Sequence, residues 1–223
     1  MAPALETNRQ DFQNLFSLYM VIGVAIGVLV IATIAFVVLR YRQREGRDPR
    51  RPETLLKVLE GTWVAAIAGI VVVLLVSTFT TEDRVDAVSG DPARTVRVTG
   101  FQWGWRFSYP GTGVAITGNS ERSPTLVVPA GVDVRFEITS RDVIHSFWVP
   151  ELRFKRDAFP DRVSDFDLVV DPGVTTTGHC AEFCGLGHDR MDFELVSMDP
   201  ARFDGWLRHR ERRVGATHAV GAA

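Results

Sequence analysis

The sequence predicts a two-helix transmembrane hairpin followed by an all-β barrel or sandwich, with a short helix at its C-terminal end. Three patterns carry this prediction: two long apolar runs in the first third, alternation of apolar and polar residues afterwards, and turn residues recurring between the alternating runs. A chain of 223 residues has room for one ordinary domain plus attachments, and its apolar residues are spread so unevenly that the boundary falls near residue 81. The formal net charge is −2, and Lys and Arg do not collect on one soluble stretch, which argues against a nucleic-acid partner.

Residues 1–15 form an outer N-terminal segment, and residues 16–39 contain no charged side chain. That run exceeds the roughly 20 apolar residues needed to span a bilayer core. A cleavable signal peptide fits poorly, because the start holds Glu6 and Asp11 and the apolar run is too long. The second run, Trp63 to Phe79, reaches spanning length if it begins near Val58, so the second span is placed at residues 58–80. Between them, residues 40–57 carry Arg40, Arg42, Arg44, Arg47, Arg50, Arg51 and Lys57, and the positive-inside rule puts that loop in the cytoplasm. Both termini and the soluble domain then lie outside a bacterial-type plasma membrane, with lipid around the spans. Glu60 stands one turn before Trp63, at the cytoplasmic lip of the second span. On chemistry alone it is an interfacial carboxylate reaching water, with a proton-path role as the sharper alternative.

Residues 81–213 form the outer domain. Val132, Val134, Phe136 and Ile138 alternate with charged neighbours, as Phe166, Leu168 and Val170 and then Met191, Phe193 and Leu195 fall on every second position. Val96 and Val98 occupy even positions whereas Phe101, Trp103, Trp105, Phe107 and Tyr109 occupy odd ones, so a bulge is expected at Gly100. Pro110-Gly111, Gly118-Asn119, Pro129-Ala130-Gly131, Pro160-Asp161 and Pro172-Gly173 mark turns. A last helix starts with Asp199 as N-cap and Pro200 at its first position, showing Phe203, Trp206 and Leu207 on one face. Residues 214–223 are read as a flexible tail.

The chemistry is concentrated in Gly178-His179-Cys180-Ala181-Glu182-Phe183-Cys184-Gly185-Leu186-Gly187-His188-Asp189-Arg190-Met191. Thiolate, imidazole and thioether form a soft ligand set, which points to copper. A mononuclear blue site needs one thiolate, and here a second lies four residues from the first, so the two sulfurs can bridge two coppers. His188 supplies one imidazole. His145, after the strand around residues 132–138, is the best candidate for the other, since His179 is cramped beside Cys180 and His209 and His218 lie in the terminal helix and tail. Met191 would be axial on one copper and the Glu182 backbone carbonyl could serve the other. A structural zinc gives Met191 no role, and a Cys180–Cys184 disulfide leaves His145, His188 and Met191 without a reason.

The run Cys180-x-Glu182-x-Cys184-x3-His188-x2-Met191, with Asp142-Val143-Ile144-His145-Ser146-Phe147-x-Val149-Pro150 upstream, resembles the dinuclear copper (CuA) domain of cytochrome c oxidase subunit II. The likeness runs from the hairpin to the terminal helix. It implies a cupredoxin-like Greek-key barrel, copper held by His145, Cys180, the Glu182 carbonyl, Cys184, His188 and Met191, and a magnesium ion shared with subunit I on the Glu182 carboxylate. It further implies that Trp103, in Gln102-Trp103-Gly104-Trp105, takes electrons from cytochrome c, and that Glu60, in a Glu-x-x-Trp sequence, sits at the mouth of a proton-uptake path. Electrons would pass to haem in subunit I, where a proton-translocating oxidoreductase with further subunits reduces oxygen to water.

Two departures from the family pattern stand out: Gly104 replaces a residue often aromatic, and Asp161 stands where Gly usually follows Pro160. No Cys-x-x-Cys-His is present, so haem belongs to the partner and the donor is a separate protein. Asp142, Asp157, Asp165 and Asp167 are candidates for an acidic surface facing a basic cytochrome. The rival readings are a copper-free quinol oxidase subunit serving docking and structure, a CuA-bearing nitrogen-oxide reductase, and a membrane copper-delivery protein. The first is opposed by the intact ligand residues, and the second would need further domains and no hairpin.

Overall fold

A computed structural model of the chain describes residues 8–42 and 53–220. These fall into two compact units, one made of residues 11–84 and the other containing everything described from Val85 onward.

The first unit holds most of α1 (Asn8–Tyr41) and most of α2 (Glu53–Asp86). Each has an acid in its first turn and an arginine in its last, a polarity that complements the helix dipole. Their surfaces are apolar on all sides, with Val21 and Leu39 among many large exposed hydrophobic residues, and both helices are long and apolar enough to cross a membrane. At 1.5 Å per residue a 34-residue helix is about 50 Å long, against roughly 30 Å of hydrocarbon. Both therefore continue beyond the predicted spans at 16–39 and 58–80. Within them Thr33, Thr62, Thr78 and Thr80 return their hydroxyls to carbonyls four residues back, which satisfies those donors inside an apolar segment. Tyr19 and Thr78 hydroxyls meet at 2.6 Å between the two helices. Residues 43–52 of the predicted basic loop lie outside the described residues.

The second unit is a sandwich of two five-stranded sheets. One has the order β3 (Val114–Thr117), β2 (Gly104–Tyr109), β1 (Arg94–Phe101), β5 (Val134–Ser140), β8 (Ser164–Leu168). The other runs β4 (Thr125–Pro129), β10 (Asp192–Met198), β9 (Thr175–Cys180), β6 (His145–Val149), β7 (Phe154–Ala158). The pairs β1–β5 and β4–β10 are parallel and the remainder antiparallel, so sequence-distant strands lie side by side and the chain crosses between sheets. Alternation places Val96, Val98, Phe107, Phe136, Ile138, Phe166, Phe193 and Leu195 in the shared core. Phe147 and Phe193 stack at 4.7 Å between ring centroids, and Phe136 and Phe166 at 5.1 Å, so aromatic rings fill the space between the sheets.

The expected bulge at Gly100 is not what changes the facing residues. Gly100 pairs with Trp105 and Phe101 with Gly104, so the parity change is a hairpin around Gln102-Trp103 and the run splits into β1 and β2. Gly104 also acquires a reason: a Cβ there would lie 2.2 Å from the Gly118 carbonyl oxygen, which bars an aromatic side chain. Strand limits shift as well, β5 beginning at Val134, β8 ending at Leu168, and Met191 falling just before β10.

Helix α3 (Pro200–Val220) begins as predicted, with Asp199 Oδ1 accepting from Ala201 N at 2.9 Å. Phe203 is fully buried and Trp206 meets Tyr109 edge-on at 5.3 Å, which seats the helix on the sandwich. It continues through the expected tail to Val220. Residues 221–223 lie outside the described residues.

Candidate metal centre

The metal-ligating residues sit where strands end. His145 is the first residue of β6 and Cys180 the last of β9, and pairing of those strands opposes Phe147 to Cys180. That register leaves His145 Nδ1 3.9 Å from Cys180 Sγ. The chain then loops through residues 181–187, bringing Cys184 Sγ to 3.9 Å from Cys180 Sγ and 3.6 Å from His188 Nδ1. His188 opens a 3-10 turn ending at Arg190, and Met191 follows with its Sδ 3.8 Å from Cys184 Sγ. The Cys180 thiol donates to the Glu182 carbonyl at 3.3 Å, while the Glu182 residue is exposed. All six predicted copper-ligand groups are therefore gathered.

Nitrogen and sulfur atoms of His145, Cys180 and Cys184 lie within 4.8 Å of one another, and all three residues are buried. Both cysteines are free. Two thiolates each about 2.3 Å from one ion can be up to about 4.6 Å apart, so sulfurs 3.9 Å apart are within reach of shared ions. The donor set of sulfur, imidazole, thioether and carbonyl fits copper better than zinc.

Several neighbours hold the loop. Backbone N–H of Cys180 and the Trp105 indole N–H both donate to the Met191 carbonyl, each at 3.1 Å. The Cys184 carbonyl accepts from Gln102 Nε2 at 2.8 Å and from the Trp103 indole N–H at 3.0 Å. Gly187 is required by this packing, since a Cβ would lie 2.6 Å from Trp103 Cγ, and Gly185 has φ of +114°. His145 Nε2 lies 2.9 Å from Asp142 Oδ1, leaving Nδ1 directed at the sulfur. His179, set aside from the sequence, turns outward to Asp192 at 2.8 Å.

Charge is unevenly shared between the two thiols. Burial alone would raise the Cys180 thiol, but hydrogen bonds from His145 and from the backbone of Ser146 and Glu182 bring it down to about 6. Burial and the neighbouring Cys180 charge push Cys184 up to about 12. Burial opposes protonation of His145, and its contacts with Cys180 and Asp142 outweigh that and raise it. Two negative charges this close oppose each other, so the thiol pair favours a single thiolate, and a cation that takes both sulfurs must displace the remaining thiol proton.

Sequence reasoning missed the roles of Gln102, Asp142 and Trp105. Asp142, three residues before a buried His, was the available clue. Among the four candidate docking acids, Asp142 faces His145, Asp157 accepts from Ser146 Oγ at 2.6 Å, and Asp167 pairs with Arg135, while Asp165 is a surface charge. Trp103 is half-buried against the loop, and Glu60 lies in α2 of the helical unit.

Residues 119–198 match a family model described as cytochrome C oxidase subunit II, periplasmic domain. Over 202 residues the chain is 32% identical to cytochrome c oxidase subunit 2 of Alkalihalophilus pseudofirmus, an alignment covering 87% of this chain and 57% of that relative. It is 30% identical over 225 residues to a probable cytochrome c oxidase subunit 2 of Streptomyces avermitilis, covering 83% of this chain and 70% of the relative. Its fold is similar to the crystal structure of the periplasmic domain of subunit II of cytochrome oxidase (CoxB) of Bradyrhizobium japonicum. That likeness has a TM-score of 0.51 and 26% identity, over 56% of this chain and 99% of the other.

Proposed function

The chain belongs to the cytochrome c oxidase subunit II family, and on that premise we propose that it receives electrons from a cytochrome c on the outer side of the membrane and hands them to haem in subunit I. The observation that carries this reading is the convergence of two thiols, two imidazoles, a thioether and a carbonyl from the start of β6, the end of β9 and the loop that follows it. His145, Cys180, Cys184, His188, Met191 and the Glu182 carbonyl would hold two coppers, which when bound store one electron over both metals. The chain's own residues keep that charge dry, held by strand ends and a loop fixed through hydrogen bonds, so little moves when an electron arrives.

Trp103 is proposed as the electron-input residue, its indole bonded to the Cys184 carbonyl at 3.0 Å and partly open to solvent. The exposed Glu182 carboxylate is proposed to bind magnesium at the junction with subunit I, and Glu60 to admit protons to a path in that subunit. The hairpin would cross a bacterial-type plasma membrane twice, with the loop inside and both termini outside. The intact sulfur ligands favour this reading over the quinol oxidase subunit.

The full-length chain loaded with copper should bind two ions and show the purple colour and delocalised hyperfine lines of a mixed-valence pair. One ion per chain, or none, overturns the proposal. In the assembled oxidase, Trp103→Phe should slow reduction by cytochrome c about tenfold or more while copper content stays at two. Unchanged stopped-flow rates would remove Trp103 from the route. Glu60→Gln should slow turnover several-fold without altering the copper spectrum, and wild-type turnover in that variant would exclude Glu60 from proton uptake.

A further inference from the structure

Gln102 occupies the tight turn between β1 and β2, and its backbone and side chain reach two different metal-ligand segments. Its backbone N–H donates to Asp142 Oδ2 at 2.8 Å, and the other carboxylate oxygen of Asp142 lies 2.9 Å from His145 Nε2. Its side-chain amide donates to the Cys184 carbonyl at 2.8 Å. Asp142 is itself fixed, because Oδ1 also accepts from Val143 N at 2.7 Å, and Arg141 N donates to the Gly100 carbonyl at 3.0 Å. The β1–β2 turn thus joins the segment carrying His145 to the loop carrying Cys184.

We propose that Gln102 is a positioning residue for the metal centre, setting the Cys184 thiol relative to the His145 imidazole directly on one side and through Asp142 on the other. This rests on the copper reading above and adds to it. A surface glutamine and aspartate near an electron-input residue would otherwise be read as contacts for the donor protein. Both instead spend their hydrogen bonds inward. With Nε2–H held by the carboxylate, His145 presents the Nδ1 lone pair to a metal. With two donors on its carbonyl, Cys184 has little freedom to swing its sulfur away from Cys180.

Gln102 itself is exposed, so substitutions there leave the core intact. Gln102→Glu keeps the shape but replaces the donor with an oxygen facing the Cys184 carbonyl, and adds a negative charge. Gln102→Met keeps the length and removes the polar group. Asp142→Asn cannot accept from both Gln102 N–H and His145 Nε2–H, because one of its two faces becomes an NH2 donor.

In the full-length chain, all three variants should lower copper affinity by about tenfold or more and shift the absorption bands and hyperfine pattern of the loaded centre. A docking role predicts the reverse pattern. Gln102→Glu would then keep the wild-type spectrum and copper affinity, and would change only the salt-dependent rate with a basic cytochrome c. That result, or a wild-type spectrum in both Gln102 variants, overturns the proposal, as does a shift confined to Asp142→Asn. Wild-type chain that fails to bind two coppers defeats the underlying copper reading instead, so the two failures are distinguishable.

Discussion

Replacing Cys184 with serine in the full-length chain should abolish the two-copper spectrum and leave one bound ion or none. Cys184 Sγ is the hub of the cluster, 3.9 Å from Cys180 Sγ, 3.6 Å from His188 Nδ1 and 3.8 Å from Met191 Sδ. Removing it would take away one of the two thiolates proposed to hold the pair of ions. A serine hydroxyl is a hard donor that stays protonated at neutral pH and does not bridge soft metal ions. The substitution is nearly isosteric at a site already lined by hydrogen-bonding groups, so the fold should lose only about 1 kcal/mol. Metal analysis with electron-spin spectra reads the first effect and circular dichroism the second. A serine variant that still shows a delocalised pair would refute the assignment of Cys184 as a bridge.

Trp105→Ala should destabilise the outer domain by about 3–5 kcal/mol, the usual range for truncating a large buried aromatic. Its side chain is fully buried and meets His145 at 6.1 Å, Phe147 at 6.1 Å and Phe193 at 5.8 Å between ring centroids. Its indole N–H donates to the Met191 carbonyl, so the same change loosens the copper loop as well as opening a cavity. Trp105→Phe should recover more than half of the loss, because it refills most of the volume while lacking the donor. Denaturant unfolding of the full-length variants in one detergent gives the comparison. Equal destabilisation by Ala and Phe would mean that the hydrogen bond, not the packing, dominates at this position.

What could be read from the sequence was local in kind. The two spans show as uninterrupted apolar runs, the Asp199 cap as a polar residue before Pro200, and the ligands Cys180, Cys184, His188 and Met191 as one short segment. His145 was found because it follows a recognisable strand and its rivals were poorly placed. Gly100 misled because a tight turn and a bulge both invert the facing residues, and only the pairing of Phe101 with Gly104 separates them. The roles of Gln102 and Asp142 depend on partners 40 and 82 residues away, which no local periodicity encodes. The parallel pairing of β1 with β5 was hidden for the same reason. Helix α3 outran its predicted end because its polar composition resembles both a tail and a solvent-facing helix.

The alignment of Phe147 with Cys180 across β6 and β9 divides the chain into stretches that tolerate changes of length and stretches that do not. Extra residues at the exposed Asp161 or Gly173 turns would lengthen a detour on the surface and leave both donors in place. One residue inserted within Thr175–Cys180 would carry the thiol to the opposite face of the sheet, away from His145. Relatives of very different size can therefore preserve the same centre, provided the extra length is added at the turns.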